Sequence, residues 1–168
     1  LAILDELARE LAPGGEENEA QRLAQRLAGR VPLAYGAGPT APVAVRWKTQ
    51  VNENAKAPAF WAELPELCHN EVVGYELMGR LLPQGTVVFL RSRHDHPRVA
   101  RRIAILEEIL TNRGLDWIEV SGRGEGLPAE LLSLLYLGDW TSYYLALLGG
   151  VDPTPVAIIR DLKDRLSR

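Results

Sequence analysis

Apolar and polar positions along this chain alternate between two periods, one typical of buried strands and one typical of amphipathic helices. Short apolar-rich runs predict three core strands, at residues 31–35, 86–91 and 116–120. Apolar positions three or four residues apart predict helices at residues 1–11, 17–28, 69–78, 97–111, 129–148 and 154–168. Strands that alternate with helices favour an α/β fold, in which a mainly parallel sheet forms the middle of a three-layer sandwich with helices on both faces.

Residues 46–56 fit a strand poorly and a helix well. The alternation of apolar residues that a strand requires ends after Trp47, where polar residues take over. In a helix, Thr40 could cap the amino end and Pro42 would lie in the first turn, which tolerates proline. The apolar face would then consist of Ala44, Trp47, Val51 and Ala55. We therefore predict a helix here.

This predicted helix brings a carboxylate close to other polar groups. Lys48, Asn52 and Glu53 fall on a second face, so a cation and an amide are within reach of the Glu53 carboxylate. A carboxylate in such surroundings suits proton abstraction. A solvated polar face is the ordinary alternative, and the pattern alone leaves it open.

The chain is expected to form one domain, residues 31–168, preceded by linker and docking helices in residues 1–30. Residues 56–68 are interpreted as an acidic and aromatic connection through Trp61 and Pro65. In open parallel sheets the chemistry usually lies beyond the carboxyl ends of the strands. The loops after Tyr35, Arg91 and Val120 are therefore the expected positions of a site.

Composition narrows the class of protein. The 168 residues carry a net charge of −3, which gives no general attraction to nucleic acid. The single cysteine, Cys68, excludes an internal disulfide and fits a reducing compartment, so we expect a cytoplasmic protein. The apolar stretch 127–148 contains Glu130 and Asp139, each of which would cost about 2.5–3.5 kcal/mol at the centre of a membrane helix. We therefore predict a buried helix there and no membrane span.

Three long motifs carry a resemblance to a known family: RWKTQVNENAKAPAF at residues 46–60, LPELCHNEVVGYE at 64–76, and LLYLGDWTSYYLALLGGVDPTPVAIIRDLKDRL at 134–166. From about Asn18 to its end, the chain resembles the C-terminal half of the bifunctional phosphoglucose/phosphomannose isomerases, in the sugar-isomerase (SIS) domain superfamily. The resemblance implies an SIS-type fold of the flavodoxin- or Rossmann-like kind. It also implies interconversion of aldose and ketose sugar phosphates through an enediol intermediate, without a cofactor or a metal.

The resemblance assigns roles to individual residues. Glu53 matches the family's general base, which carries a proton between C1 and C2 of the open-chain sugar. His69 matches the histidine that opens the sugar ring, and it is expected to reach the neighbouring subunit's site, which implies a homodimer. Lys163 matches a lysine associated with ring opening and with holding the sugar, and Thr154 is expected near the sugar.

Two other motifs are interpreted as structural. The run His94-Asp95-His96 offers metal-ligand side chains, but their spacing fixes only part of a coordination sphere, and no partner cluster follows elsewhere in the sequence. The glycines from Gly122 to Gly126 fit neither a dinucleotide fingerprint nor a P-loop, so a turn after a strand is expected.

One departure from the superfamily pattern matters for function. The Ser/Thr-rich loop that grips the sugar phosphate is missing here, because the serines are scattered along the chain. In the bifunctional isomerases this loop belongs to the N-terminal SIS half, which we expect to act in cis or in trans with this chain. Met78 is the only methionine, so we expect the numbering to begin inside a longer protein or after a missing start. The alternative function is a non-catalytic SIS module that binds or senses sugar phosphates.

Overall fold

The computed structural model describes residues 2–167. Leu1 and Arg168, which the sequence patterns assign to the first and last helices, lie outside the described residues. The strands are β1 (Val31–Ala37), β2 (Phe60–Leu64), β3 (Gly85–Arg91) and β4 (Asp116–Ser121). The helices are α1 (Ala2–Leu11), α2 (Glu19–Leu27), α3 (Ala41–Asn54), α4 (Glu71–Leu81), α5 (Pro97–Asn112), α6 (Leu127–Leu148) and α7 (Ala157–Leu166). Single 3-10 turns, Gly38–Thr40 and Glu66–Cys68, precede α3 and α4.

The four strands form one sheet in the order β2-β1-β3-β4, and every neighbouring pair is parallel. Tyr35 on β1 is paired with Ala62 on β2 and with Phe89 on β3, so it lies at the centre of the sheet. Each parallel connection crosses over through at least one helix, as parallel pairing requires. The predicted α/β class and three-layer arrangement are confirmed.

The sequence pattern predicts a connection at residues 56–68, but the structure has the strand β2 there. Within residues 2–167, β2 lies at the edge of the sheet and pairs only with β1. Phe60, Trp61 and Glu63 are exposed, and only Leu64 is buried. An edge strand can leave most of its side chains in solvent, so it shows neither a continuous apolar run nor a clean alternation.

Two hydrophobic clusters lie on opposite faces of the sheet. On one face α1, α2, α3 and α6 pack against the strands, and on the other face α4 and α5 do so. The segment expected to be a linker and docking arm contributes five buried apolar residues to the first cluster: Leu7, Leu11, Ala20, Ala24 and Leu27. Residues 3–27 therefore share the core of the sheet domain. No helix in the described part of the chain is long and apolar enough to cross a membrane.

Three polar contacts fix α3 along the surface of α6. The Trp47 indole donates to the carbonyl oxygen of Leu134 at 2.8 Å, and Arg46 forms a two-pronged ion pair with Asp139 at 3.0 and 2.9 Å. At the far end of α3, the Asn54 amide donates to Ser142 Oγ at 2.8 Å. These contacts extend from Arg46 to Asn54, so the last turn of α3 is held in place relative to the core.

The predicted helix boundaries shift where capping and proline act. Thr40 precedes α3, but its hydroxyl bonds the backbone of Ala37 instead of capping the helix. The Asn70 side chain accepts from the Glu71 amide, so α4 begins at Glu71 instead of 69. The last helix begins at Ala157 instead of 154, because proline at 155 disfavours helical geometry at Thr154.

Candidate active site

Glu53 lies in the last turn of α3. Because α3 follows β1 and returns to the start of β2, this turn lies at the amino edge of the sheet and not at the carboxyl edge, where a site was expected. The Glu53 side chain is exposed, and no hydrogen bond or ion pair from another described residue reaches its carboxylate. Lys56, in a left-handed conformation (φ 54°), donates from Nζ to the backbone carbonyl of Glu53 and to that of Pro153 at 3.0 Å. The carboxylate is thus free at the end of a well-anchored helix.

The side-chain amides of the two asparagines beside Glu53 donate to groups other than its carboxylate, which differs from the arrangement that the sequence pattern favours. The Asn52 amide donates to the carbonyl oxygen of Ala57 at 2.8 Å, and that of Asn54 donates to Ser142 and to Gln50. Both amides therefore hold the helix end and the turn that follows it. Among the described residues, neither Lys48 nor Asn52 forms a polar contact with the Glu53 carboxylate. The cluster expected from helical spacing is therefore absent from this part of the chain.

His69 lies on the opposite side of the molecule. It follows β2 and the 3-10 turn Glu66–Cys68, so it belongs to the carboxyl edge of the sheet. Its ring is exposed, and its backbone N–H donates to the carbonyl oxygen of Glu66 at 2.9 Å. The 14 residues of α3 extend about 20 Å between the two edges. The structure therefore does not bring Glu53 and His69 of one chain together.

Lys163 is on α7, a helix with no buried residue. Its apolar side chains Ile158, Leu162 and Leu166, spaced four apart, are 82%, 57% and 79% exposed. Thr154 is also exposed, and its backbone N–H bonds the Asp152 side chain in the turn before α7. Since Lys56 contacts Pro153, the turn that contains Thr154 lies beside the Glu53 end of α3.

The carboxyl ends of β3 and β4 carry a network of charges. Arg91 pairs with Asp95 at 3.0 Å and also with Glu119. The fully buried Glu130 accepts from the Ser92 hydroxyl at 2.6 Å and pairs with Arg93, and these bonds outweigh burial and hold its pKa below the ordinary value. In the described chain no group of three or more His, Cys, Asp or Glu side chains is arranged to hold a metal ion. The charged side chains of this network therefore pair with one another.

Glu107 on α5 adjoins this network without a hydrogen bond to its buried Oε1 atom. Burial and the like charge of Glu119 raise the pKa of Glu107 above its ordinary 4.5. A raised pKa means that the folded chain binds the proton more tightly than the unfolded chain, so ionising Glu107 reduces stability as the pH rises above about 4.5.

We expect Glu107→Gln to raise the free energy of unfolding at pH 7 by less than about 1 kcal/mol, because the group is still partly solvated. The gain should disappear below pH 4.5, where the wild-type carboxyl is protonated in both states. Urea denaturation at pH 7 and pH 4 measures both values. The exposed neighbour, as Glu108→Gln, is the matched control and should show no such pH-dependent gain. A gain of equal size at both pH values would contradict this account.

The structure also shows a contact that sequence reasoning did not find. The hydroxyl of Tyr35 donates to Oε1 of Glu71, and the hydroxyl of Tyr75 donates to that of Tyr35 at 3.2 Å. Glu71 belongs to the His69-Asn70-Glu71 motif, but its partner on β1 is 36 residues away. The only local signal was an acidic residue in a motif at the start of a helix, which ordinarily indicates a favourable helix-terminus charge.

Comparison with known proteins identifies the family. The family profile described as the bacterial phosphoglucose isomerase C-terminal SIS domain matches residues 16–166. The chain is 37% identical over 155 residues to a bifunctional phosphoglucose/phosphomannose isomerase of Aquifex aeolicus, covering 90% of this chain and 47% of the relative. A protein of the same name from Caldicellulosiruptor bescii is 39% identical over 153 residues, covering 90% of this chain and 45% of the relative.

A solved structure agrees with this assignment. A glucose-6-phosphate isomerase-like protein from Thermus thermophilus superposes with a TM-score of 0.76 at 30% identity, over 97% of this chain and 53% of that protein. The chain spans about half the length of the curated relatives it matches. Since a family profile matches nearly the whole chain, the protein belongs to the bacterial phosphoglucose isomerase C-terminal SIS domain family.

Proposed function

We propose that this chain is the catalytic C-terminal half of an enzyme that interconverts glucose 6-phosphate and mannose 6-phosphate with fructose 6-phosphate. The relatives' shared name supports sugar-phosphate isomerisation as the general activity. The observation that carries the proposal is the state of Glu53. Its neighbours on the last turn of α3 are bonded to the protein, whereas its carboxylate accepts no hydrogen bond from the residues that the structure describes.

Glu53 would act as the base. Aldose–ketose isomerisation moves one proton between C2 and C1 while the carbonyl changes place, and the intermediate is an enediol. A single carboxylate can remove the proton from one carbon and return it to the other. The anchors of α3 on α6 supply the fixed geometry that such a transfer needs. The carboxylate must also be shielded from water, and within this chain it is exposed, so a further surface would have to cover it.

Two partners would supply what the chain lacks. An N-terminal SIS half would bring the phosphate-binding loop and cover the Glu53 side of the domain. A second copy would bring its own His69 to this Glu53, because the two residues of one chain lie at opposite edges of the sheet. The open apolar stripe on α7, which carries Lys163 at its border, is a surface that the N-terminal half could cover. A homodimer of complete subunits follows from this scheme.

The alternative is a non-catalytic SIS module that binds or senses sugar phosphates. The exposed position of Glu53 in this chain is the observation in its favour, since a pure binding module needs no shielded base. The two functions differ in one measurable respect. The enzyme converts fructose 6-phosphate to glucose and mannose 6-phosphates, whereas the module only binds them.

Complementation between variants tests the proposal. In the complete protein with its upstream half, Glu53→Gln and His69→Ala should each remove activity on fructose 6-phosphate. After the two variants are mixed and their subunits exchanged, about one quarter of the wild-type activity should return, because half of the dimers are mixed and each mixed dimer has one intact site.

A variant with both substitutions is the control. Subunit exchange with the wild type should reduce activity below that of simple dilution, because every site in a mixed dimer then lacks one of the two residues. No recovery in the first mixture would contradict a site shared between subunits. No conversion of either sugar by the complete wild-type protein would refute the isomerase and leave the binding module.

A further inference from the structure

A polar contact crosses the otherwise apolar space between the sheet and α4. Tyr35, only 1% exposed, points from the central strand β1 into the second hydrophobic cluster. Its hydroxyl donates to the carboxylate of Glu71, the first residue of α4. Tyr75, one turn further along α4, donates its own hydroxyl to that of Tyr35 at 3.2 Å. Strand and helix are thus joined by three polar side chains in a row.

The polar side chains of this row lie in apolar surroundings, so each of them needs a hydrogen-bond partner. The Tyr35 ring packs edge-on against Phe89, with ring centroids 5.7 Å apart, and an unpaired hydroxyl in such surroundings would be costly. Burial raises the pKa of Tyr35 far above its ordinary value and that of Tyr75 to about 12. Both hydroxyls therefore keep their protons at neutral pH and remain donors. Burial also raises the pKa of Glu71, although the bond from Tyr35 opposes that rise.

The contact links the end of the turn that carries His69 to the central strand of the sheet. Within that turn, the hydrogen bonds are local. His69 N–H donates to the carbonyl oxygen of Glu66 at 2.9 Å, the Asn70 side-chain oxygen accepts from Glu71 N–H at 2.6 Å, and the Asn70 amide donates to Oε1 of Glu66 at 3.2 Å. Leu67 adds apolar packing to the second cluster. Among the described residues, the bond from Tyr35 to Glu71 is the side-chain hydrogen bond that connects residues 66–71 to the sheet.

We infer that Tyr35 and Glu71 are positioning residues that hold the His69 imidazole where it can open the sugar ring. The inference rests on the proposed function, in which His69 moves a proton from the anomeric hydroxyl to the ring oxygen. His69 is exposed, and its ring receives no hydrogen bond from the described residues, so the turn beneath it must supply its position. Loss of the link leaves that turn held by its local bonds, by the packing of Leu67 and Cys68, and by its attachment to β2, with no side-chain hydrogen bond to the sheet from the described residues.

The test compares a cyclic substrate with an open one in the complete protein. Fructose 6-phosphate must open its ring, whereas 5-deoxyfructose 6-phosphate lacks the ring oxygen and stays open. We expect Tyr35→Phe, which removes only the hydroxyl, to lower kcat about tenfold on fructose 6-phosphate and to leave KM unchanged. On the open analogue the rate should stay at the wild-type value. His69→Ala should show the same selectivity with a larger loss.

Two further comparisons between variants separate a loss of positioning from a loss of folding. One compares two substitutions of Glu71, and the other compares Tyr75→Phe with Tyr35→Phe. Glu71→Gln keeps an oxygen that accepts from Tyr35 and should retain the wild-type rate, whereas Glu71→Ala should reproduce the loss seen in Tyr35→Phe. Tyr75→Phe removes a hydroxyl from the same cluster without breaking the Tyr35–Glu71 bond, and it should have no effect on the rate.

Equal losses on both substrates, or no loss in either Tyr35→Phe or Glu71→Ala, would overturn the positioning role. Failure of the proposed function would look different. In that case His69→Ala would not slow fructose 6-phosphate selectively, or Glu53→Gln would leave the rate on the open analogue intact. The positioning role and the proposed function can therefore fail separately.

Discussion

Glu53→Gln is expected to lower the isomerisation rate of the complete protein by about 10² or more, because glutamine cannot accept the proton that moves between C2 and C1 in the proposed reaction. The change is nearly isosteric, and the carboxylate makes no polar contact with the rest of the described chain. Thermal stability should therefore stay close to that of the wild type, as for other surface substitutions. Conversion of fructose 6-phosphate, measured together with the melting temperature, separates lost chemistry from lost folding.

Glu108→Gln is the matched control, since Glu108 is an exposed glutamate on α5, on the other face of the sheet. It should leave the rate unchanged. Exchange of the C1 proton of fructose 6-phosphate with solvent deuterium gives a second readout, because this exchange requires the base but no release of product. A Glu53→Gln protein that still exchanges at the wild-type rate would exclude Glu53 as the base.

Gly138→Ala is expected to destabilise the fold by about 2–4 kcal/mol, because the added methyl group overpacks the contact between α3 and α6. A Cβ atom on Gly138 would lie 2.3 Å from Nε1 of Trp47, the atom that donates to the carbonyl of Leu134. Trp47 is buried and cannot move aside without losing that bond. The melting temperature of a chain of this size should fall by about 5–15 °C.

Gly74→Ala provides the matched control. Gly74 is also inside a helix, α4, but a Cβ there meets nothing within 4 Å. Replacing a glycine with alanine in an open helix position should raise stability by about 0.5–1 kcal/mol. Opposite signs for the two substitutions are the expected result in thermal unfolding. A wild-type melting temperature for Gly138→Ala would show that α3 and α6 can separate at this contact without cost.

Much of the fold could be predicted from local patterns. β1 and β3 are buried on both faces and so appear as continuous apolar-rich runs, whereas the buried residues of α5 and α6 recur at helical spacing because they face a core. The edge strand β2 could not be found this way, because one side of it has no neighbour and most of its side chains face solvent. Its presence depends on pairing with β1.

In the candidate site, too, local patterns identified some features and not others. Glu53, His69 and Lys163 were assigned from motifs, and their catalytic roles stay predictions. The sequence pattern grouped Lys48, Asn52 and Glu53 because helical spacing puts them on one side. The folded chain instead uses Asn52 for the carbonyl of Ala57, a contact that helical spacing does not describe.

The sequence by itself determined the α/β class, the three-layer order and the helix that carries Glu53, because these depend on the periodic burial of side chains close together in the chain. Only the tertiary structure decided that Glu53 and His69 lie at opposite edges of the sheet, that Tyr35 bonds Glu71, and that Gly138 receives Trp47. The two residues in each of these relations are 16 to 91 positions apart in the sequence. The spacing of apolar residues within one helix or strand carries no information about such distant pairs. They arise when crossover connections place distant segments side by side in the core.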